Sequence, residues 1–375
     1  MIRAPKQTSP EIKLLSRLRR LLVIRPSQFV YRGLSAHNAA IKQKLLSTVS
    51  KAEFYSNFLR EWKSFRKGLK WLGSKVITAE ALGGKSCPDC TFAQDLALVL
   101  HGPDEVILIS PKKMGAKARR KESGRLRKLF GKKVRILILP GTIDFGDVIS
   151  VEIDGKKALL IGKRNNDAYE AAVGSTQKIR TSDMAIEALT TVANDLGYKV
   201  VEITHSALHL TSAMTMAGQA KANDPIVFLH NEHILDKFKV KTHIARALEV
   251  PLKDICLIAT HISRGTPEEK AKASWSASCL GHNGKVLVQK GSAVAKILRD
   301  MGFIVLEVPF DFIMSIDGGM TCLILELISL RPKRTNWKAK KKPKNNSKRK
   351  AKNKKQLSSK KKKGSSRRRS RALAS

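Results

Sequence analysis

Apolar positions along the chain follow two periods. Over residues 52–72, Phe54, Phe58, Trp62, Phe65, Leu69 and Leu72 recur every three or four places, while Lys51, Arg60, Lys63, Arg66, Lys67 and Lys70 fill the other positions. That spacing predicts an amphipathic helix closed by Gly73. Its apolar face suits packing on a sheet; a basic amphipathic helix can also lie on a membrane surface. Elsewhere, helical stretches that end near a glycine alternate with short apolar runs bounded by polar loops. One such unit has Trp71-Leu72-Gly73, a strand at Val76-Ile77, a polar stretch from Asp89 to Asp95 and a strand from Leu96 to Leu100. A second has Leu129-Phe130-Gly131, Val134 to Leu139, Asp144 to Asp147 and Val148 to Val151. A third has Asp195-Leu196-Gly197, Val200 to Ile203, His205 to His209 and a strand from Leu210 onward. The last has Asp300-Met301-Gly302, Phe303 to Val308, Asp317 to Thr321 and Cys322 to Leu327. A degraded copy, around Ala247-Leu248 and Ile255 to Ala259, fits the gap before it and makes five.

Composition and charge divide the chain. Hydrophobic residues make up 42% of 375, enough for a core, which excludes global disorder. No apolar run approaches the ~18–20 residues that cross a bilayer, and Leu21-Leu22-Val23-Ile24 is too short for a secretory signal. Five cysteines with one close pair point to a reducing compartment. The formal charge is +41, of which residues 331–375 carry +22 with no acid, residues 1–75 carry +14, and residues 76–330 only +5. We therefore read a basic N-terminal extension at 1–45, a globular body at 46–330 and a disordered Lys/Arg-rich tail at 331–375. The tail suits polyanion contact, such as nucleic acid, or nuclear targeting, and with Trp337 as its one aromatic residue it offers no base readout. Arg17, Arg19, Arg20, Arg25 and Arg32 with the single acid Glu11 also match a mitochondrial presequence, but the expected compartment is cytoplasm or nucleus.

The loops of the repeated units carry the chemistry: Asp89 and Asp95 in one, Asp144 and Asp147 in another, then His209, then Cys322. Units arranged radially about one axis would bring these loops together. A cysteine thiolate attacks, a histidine shuttles the proton, and a carboxylate orients the imidazole; Cys322, His209 and Asp144 suit these roles. Further carboxylates suit a guanidinium held in fork geometry. Each residue also has a plain reading: Cys322 as a buried thiol, His209 between two leucines as a core histidine, and Asp144 and Asp147 as turn residues. Cys87 and Cys90 have metal-pair spacing, but no second pair completes a zinc site.

Six segments in order resemble the dimethylarginine dimethylaminohydrolase family of the guanidino-modifying pentein superfamily, over residues 50–328. They are Cys87 to Asp95, Gly115 to Glu122, Gly141 to Val148, Gly162 to Asn166, Leu208 to Ser212 and Ile316 to Cys322. The resemblance implies an α/β fold, a five-bladed propeller of pseudo-fivefold ββαβ repeats with the site on its axis. It also implies hydrolysis of Nω-methylated arginine to citrulline through a covalent thiouronium on Cys322. His209 would be the proton shuttle and Asp144 would orient it. Asp89, Gln94 and Asp95 would meet the guanidinium, Arg119 and Arg164 the α-carboxylate, and Ile316 and Asp317 would complete the substrate site. No cofactor, metal or membrane is implied, and the oligomeric state stays open. Gln94 stands where the family has Glu and Phe145 where it has Gly. These departures, with the basic ends, leave two alternatives: another guanidino substrate such as arginine, or a catalytically silent domain that serves a nucleic-acid-associated protein.

Overall fold

The structure is a computed structural model and describes residues 19–28, 30–32, 39–80, 88–102, 106–110, 135–173, 181–261 and 264–327. The chain divides into two units, Met1–Leu330 and Arg331–Ser375. The disorder expected of the tail concerns residues that lie outside the described ones.

The described residues form five three-stranded sheets of one plan: a central strand with an antiparallel neighbour on one side and a parallel one on the other. In chain order the strands are β1 (Arg20–Ile24), β2 (Lys75–Ala79), β3 (Leu98–His101), β4 (Val106–Ser110), β5 (Arg135–Ile138), β6 (Val148–Ile153), β7 (Lys156–Arg164), β8 (Tyr198–His205), β9 (Met214–Gly218), β10 (Ile226–His230), β11 (Ile255–Ala259), β12 (Leu280–His282), β13 (Lys285–Gln289), β14 (Ile304–Val308) and β15 (Ile324–Leu327). The sheets are β3-β4-β5, β6-β7-β8, β9-β10-β11, β12-β13-β14 and β15-β1-β2. Central strands are near-continuous apolar runs because they are covered on both faces; all five residues of β10 are buried. Two hairpins close on Asp154-Gly155 and Asn283-Gly284, with positive φ at both positions of each, the geometry of two-residue turns that match strand twist.

One sheet unites both ends of the body. β1 lies between β15, antiparallel, and β2, parallel. Leu21 to Ile24 are fully buried. The basic N-terminal extension read at 1–45 is corrected over Arg20–Ile24: four consecutive apolar residues there supply the centre of a sheet. The unit predicted from Leu210 onward also differs. Leu210–Ala213 is one helical turn and the strand starts at Met214.

The amphipathic helix runs over Lys51–Trp71, with a Ser50–Glu53 capping box at its start and Gly73 at φ +85° after its end. Phe54, Phe58, Trp62, Phe65 and Leu69 are buried against Phe310, Ile313, Met314 and Leu323. Each such side chain contributes roughly 1.5–3 kcal/mol by leaving water. No described helix is long and apolar enough to cross a membrane.

One charged residue enters that interface. Glu61 is buried, and its carboxylate accepts the backbone N–H groups of Phe312 at 2.9 Å and Ile313 at 3.1 Å. Burial pushes its pKa up to about 8, with Asp311 adding to the rise and the backbone hydrogen bonds opposing it. The folded state therefore holds a proton that the unfolded chain has lost above its ordinary value of 4.5. Glu61 contributes stability fully below pH 4.5, and that contribution drains away as pH rises to about 8. Glu61→Gln keeps an acceptor and cannot ionise. Urea midpoints measured across this range should fall with pH more steeply in the wild type than in the variant.

Candidate functional site

The loops singled out in the sequence occupy one structural step. Each leads from the parallel strand of one sheet to the antiparallel strand of the next: 80–97, 139–147, 206–213 and 309–323. Their short turns touch in series. Thr321–Leu323, which carries Cys322, packs on Gln94–Leu96, which carries Asp95. That turn packs on Phe145–Asp147 beside Asp144, which packs on Leu210–Ala213, a turn that His209 begins.

Asp95, Asp144 and His209 each place one polar side-chain atom in a cluster with all atoms within 4.8 Å of one another. His209 is 6% exposed, and its Nε2 lies 3.3 Å from Asp144 Oδ2. Asp144 is shaped by its own turn: Oδ1 accepts the Gly146 N–H at 3.1 Å, and its backbone N–H donates to Thr181 Oγ1 at 3.1 Å. Gly146 is obligatory here, since a Cβ would overlap the His209 ring. Two carboxylates beside an imidazole could hold a metal ion; they equally suit a flat organic cation, whose N–H groups pair with carboxylates two at a time.

Cys322 is 6% exposed. Burial pushes its thiol up to about 12, and the charge of Asp95 adds to the rise, as does that of Asp144. Hydrogen bonds from the Gly319 backbone and the Thr321 side chain pull the other way. At neutral pH the sulfur carries its proton, held there first by burial and then by the two carboxylates. A cation bound between the carboxylates would remove their share of that opposition.

A second layer was not read from the sequence. Asp147 is 3% exposed. Its Oδ2 accepts the Thr181 hydroxyl at 2.6 Å, and its Oδ1 accepts the Leu210 N–H at 3.0 Å and lies 3.5 Å from His205 Nε2. Nδ1 of the fully buried His205 accepts the Ala207 N–H, so the ring proton sits on Nε2 and faces Asp147. Asp147 thus ties the Asp144 loop, through Thr181, to the residue after His209. The signal was present as the second Asp of Asp144-Phe145-Gly146-Asp147 but gave no partner.

The other expected site residues have the following surroundings. Gln94 stands beside Asp95 on the same turn. It accepts a hydrogen bond from Thr211 Oγ1 at 3.3 Å and lines a cavity of about 650 Å³. Phe145, Thr211, Thr215, Cys279 and Thr321 also line that cavity, whereas Asp95, Asp144, His209 and Cys322 do not. The side chain of Ile316 is buried in the core shared with helix Lys51–Trp71, which leaves its backbone for a ligand. Asp317 is half-buried in the left-handed region, at φ +59°. Arg164 ends β7 opposite His205, its guanidinium 4.4 Å from the Tyr169 ring centre and its Nε donating to Asn166 Oδ1 at 3.2 Å. Arg119 and the side chain of Asp89 lie outside the described residues.

No protein-family model matches the chain. The chain is similar to an uncharacterized protein of Aeropyrum pernix, 26% identical over 264 residues that span 69% of this chain and 81% of that protein. Among solved structures it is similar to a dimethylarginine dimethylaminohydrolase from Pseudomonas aeruginosa, a mutant complexed with citrulline. The identity is 19%, the match covers 83% of this chain and 99% of that one, and the TM-score is 0.55. It is also similar to the product-bound N-terminal domain of ArgZ, an arginine dihydrolase from the ornithine-ammonia cycle in cyanobacteria. There the identity is 16%, with 82% and 97% covered and a TM-score of 0.58. The chain therefore has the fold of dimethylarginine dimethylaminohydrolase and of the arginine dihydrolase domain.

Proposed function

We propose that the chain is an amidinohydrolase that converts an Nω-methylated arginine to citrulline and a methylamine. The observation that carries this reading is the meeting of Asp95, Asp144 and His209, from three separate loops, next to a thiol that feels both carboxylates. In this reading the five sheets are blades of a propeller and the loops meet on its axis.

Asp95, with Asp89, pairs with the guanidinium N–H groups. The bound cation offsets the two charges that add to the rise of the buried Cys322 thiol, and the thiol proton passes to His209. The sulfur attacks the guanidinium carbon. The carbon–nitrogen bond to the methylated nitrogen breaks, and His209 gives its proton to the departing amine. A thiouronium on Cys322 remains. His209 then takes a proton from water, which adds to the same carbon. The carbon–sulfur bond breaks, citrulline leaves, and the thiol recovers its proton. Asp144 holds the imidazole for both transfers. Arg119 and Arg164 receive the substrate α-carboxylate, with Asp317 and the Ile316 backbone at the edge of the site.

Purified full-length protein should be incubated with asymmetric dimethylarginine, monomethylarginine and arginine, with citrulline and released amine both measured. We expect one amine per citrulline, and a higher kcat/KM for a methylated substrate than for arginine. Turnover of arginine alone would move the reading to an arginine hydrolase, and no citrulline from any of the three would end it.

A further inference from the structure

We infer that the outer face of helix Lys51–Trp71 is a contact surface for the phosphate backbone of double-stranded nucleic acid. Arg60, Lys63, Lys67 and Lys70, spaced by three, four and three residues, fall on one stripe opposite the buried aromatic face, and all four are exposed. At 1.5 Å per residue the stripe spans about 15 Å. Lys75, exposed, follows at the start of β2.

The helix does nothing to offset this charge. Its two acids are committed elsewhere. Glu53 caps the first turn, and Glu61 is buried with its carboxyl pinned on Phe312 and Ile313. Among the described residues no carboxylate pairs with Arg60, Lys63, Lys67 or Lys70. Like charges three and four residues apart repel, and helices commonly relieve this with Glu one turn earlier. Here the repulsion stands. Phosphates laid along the stripe would remove it.

The same helix argues against other anionic partners. Its apolar side chains point into the core, so nothing is left to enter a bilayer as an interfacial helix requires. Single strands are held by bases stacked on open aromatic rings. Trp62 is buried with the Arg66 guanidinium 5.3 Å from its ring, and Trp71 is half-buried with Lys285 Nζ at 5.3 Å. Point charges without a stacking ring fit a duplex backbone, read without regard to sequence.

Each phosphate contact adds about 0.9 to the slope of log K against log salt on duplex DNA. Binding of full-length protein to a fluorescent DNA duplex should be titrated between about 50 and 200 mM salt, for wild type and for R60Q/K63Q/K67Q/K70Q. We expect the slope to fall by about 3 to 4 in magnitude in the variant. We also expect DNA to slow amide exchange over residues 60–70 in the wild type. The charge-preserving K63R/K67R/K70R should bind as the wild type does, which separates charge from folding. An unchanged slope in the glutamine variant would assign binding to the basic tail and overturn the inference. Loss of binding in the arginine variant, or charge-dependent binding to phosphatidylserine vesicles without binding to duplex, would overturn it as well.

Discussion

Replacing Cys322 by serine is expected to abolish citrulline formation, lowering kcat on the order of 10⁴-fold or more, as removal of a nucleophile does elsewhere. The fold should survive. Serine is smaller, and the groups that hydrogen-bond the sulfur, the Gly319 backbone and the Thr321 side chain, can meet a hydroxyl in the same place. The melting temperature should therefore stay close to that of the wild type while turnover vanishes. Cys279 supplies the control. It is also buried, and burial pushes its thiol up to about 11, but its neighbour is the Thr215 hydroxyl and no carboxylate raises it. Cys279→Ser should leave kcat within a few-fold. Mass spectrometry of wild-type protein quenched during turnover should find the added mass on the peptide that contains Cys322. Turnover in Cys322→Ser within tenfold of wild type, or the adduct on another cysteine, would place the nucleophile elsewhere.

Legibility in the sequence followed the range of the interaction. The helix over Lys51–Trp71 was readable because large aromatics repeat at its own period and its cap lies three residues from its partner. The parallel strands β2, β8 and β14 were readable as apolar runs after a helix-closing glycine, and β5 as an apolar run. The degraded copy before β11 was faint for a definite reason: Glu249, at φ +51°, takes the left-handed position that Gly73, Gly197 and Gly302 hold elsewhere. β1 was missed because a four-residue apolar run among arginines has no local partner; its ladder runs to Ile324–Leu327 at the far end of the body. The site divided in the same way. Asp95, Asp144, His209 and Cys322 stood out because reactive residue types sat at one recurring position in the units. The bond between Gln94 and Thr211 was not legible because the two are 117 residues apart, and only the fold shows that they meet. A residue type declares what it can do, whereas its direction depends on neighbours that arrive from other sheets.

Asp147→Asn should lower kcat roughly 10–100-fold, the scale set by a buried donor left unpaired at about 1–3 kcal/mol, with KM nearly unchanged. The reason is the geometry between loops. Asp147 accepts at both oxygens, from Thr181 on one and from the Leu210 N–H on the other. Asparagine has a single acceptor oxygen. If that oxygen keeps Leu210, the new amide faces Thr181 Oγ1, which already accepts from the Asp144 N–H, and the hydroxyl proton of Thr181 loses its buried acceptor. Leaving that donor unpaired costs roughly 1–3 kcal/mol. Relief comes from turning Thr181, and Thr181 holds the backbone of Asp144. The 3.3 Å contact between Asp144 and His209 should then loosen. A carboxylate at that distance orients the imidazole, so its retreat leaves the ring free to turn from the departing amine. The loss should then fall on kcat per folded molecule, with KM held. That split is the deciding measurement. A variant that was merely less stable would melt earlier with kcat per folded molecule unchanged, and such a result would show that Asp147 supports the fold without positioning the histidine.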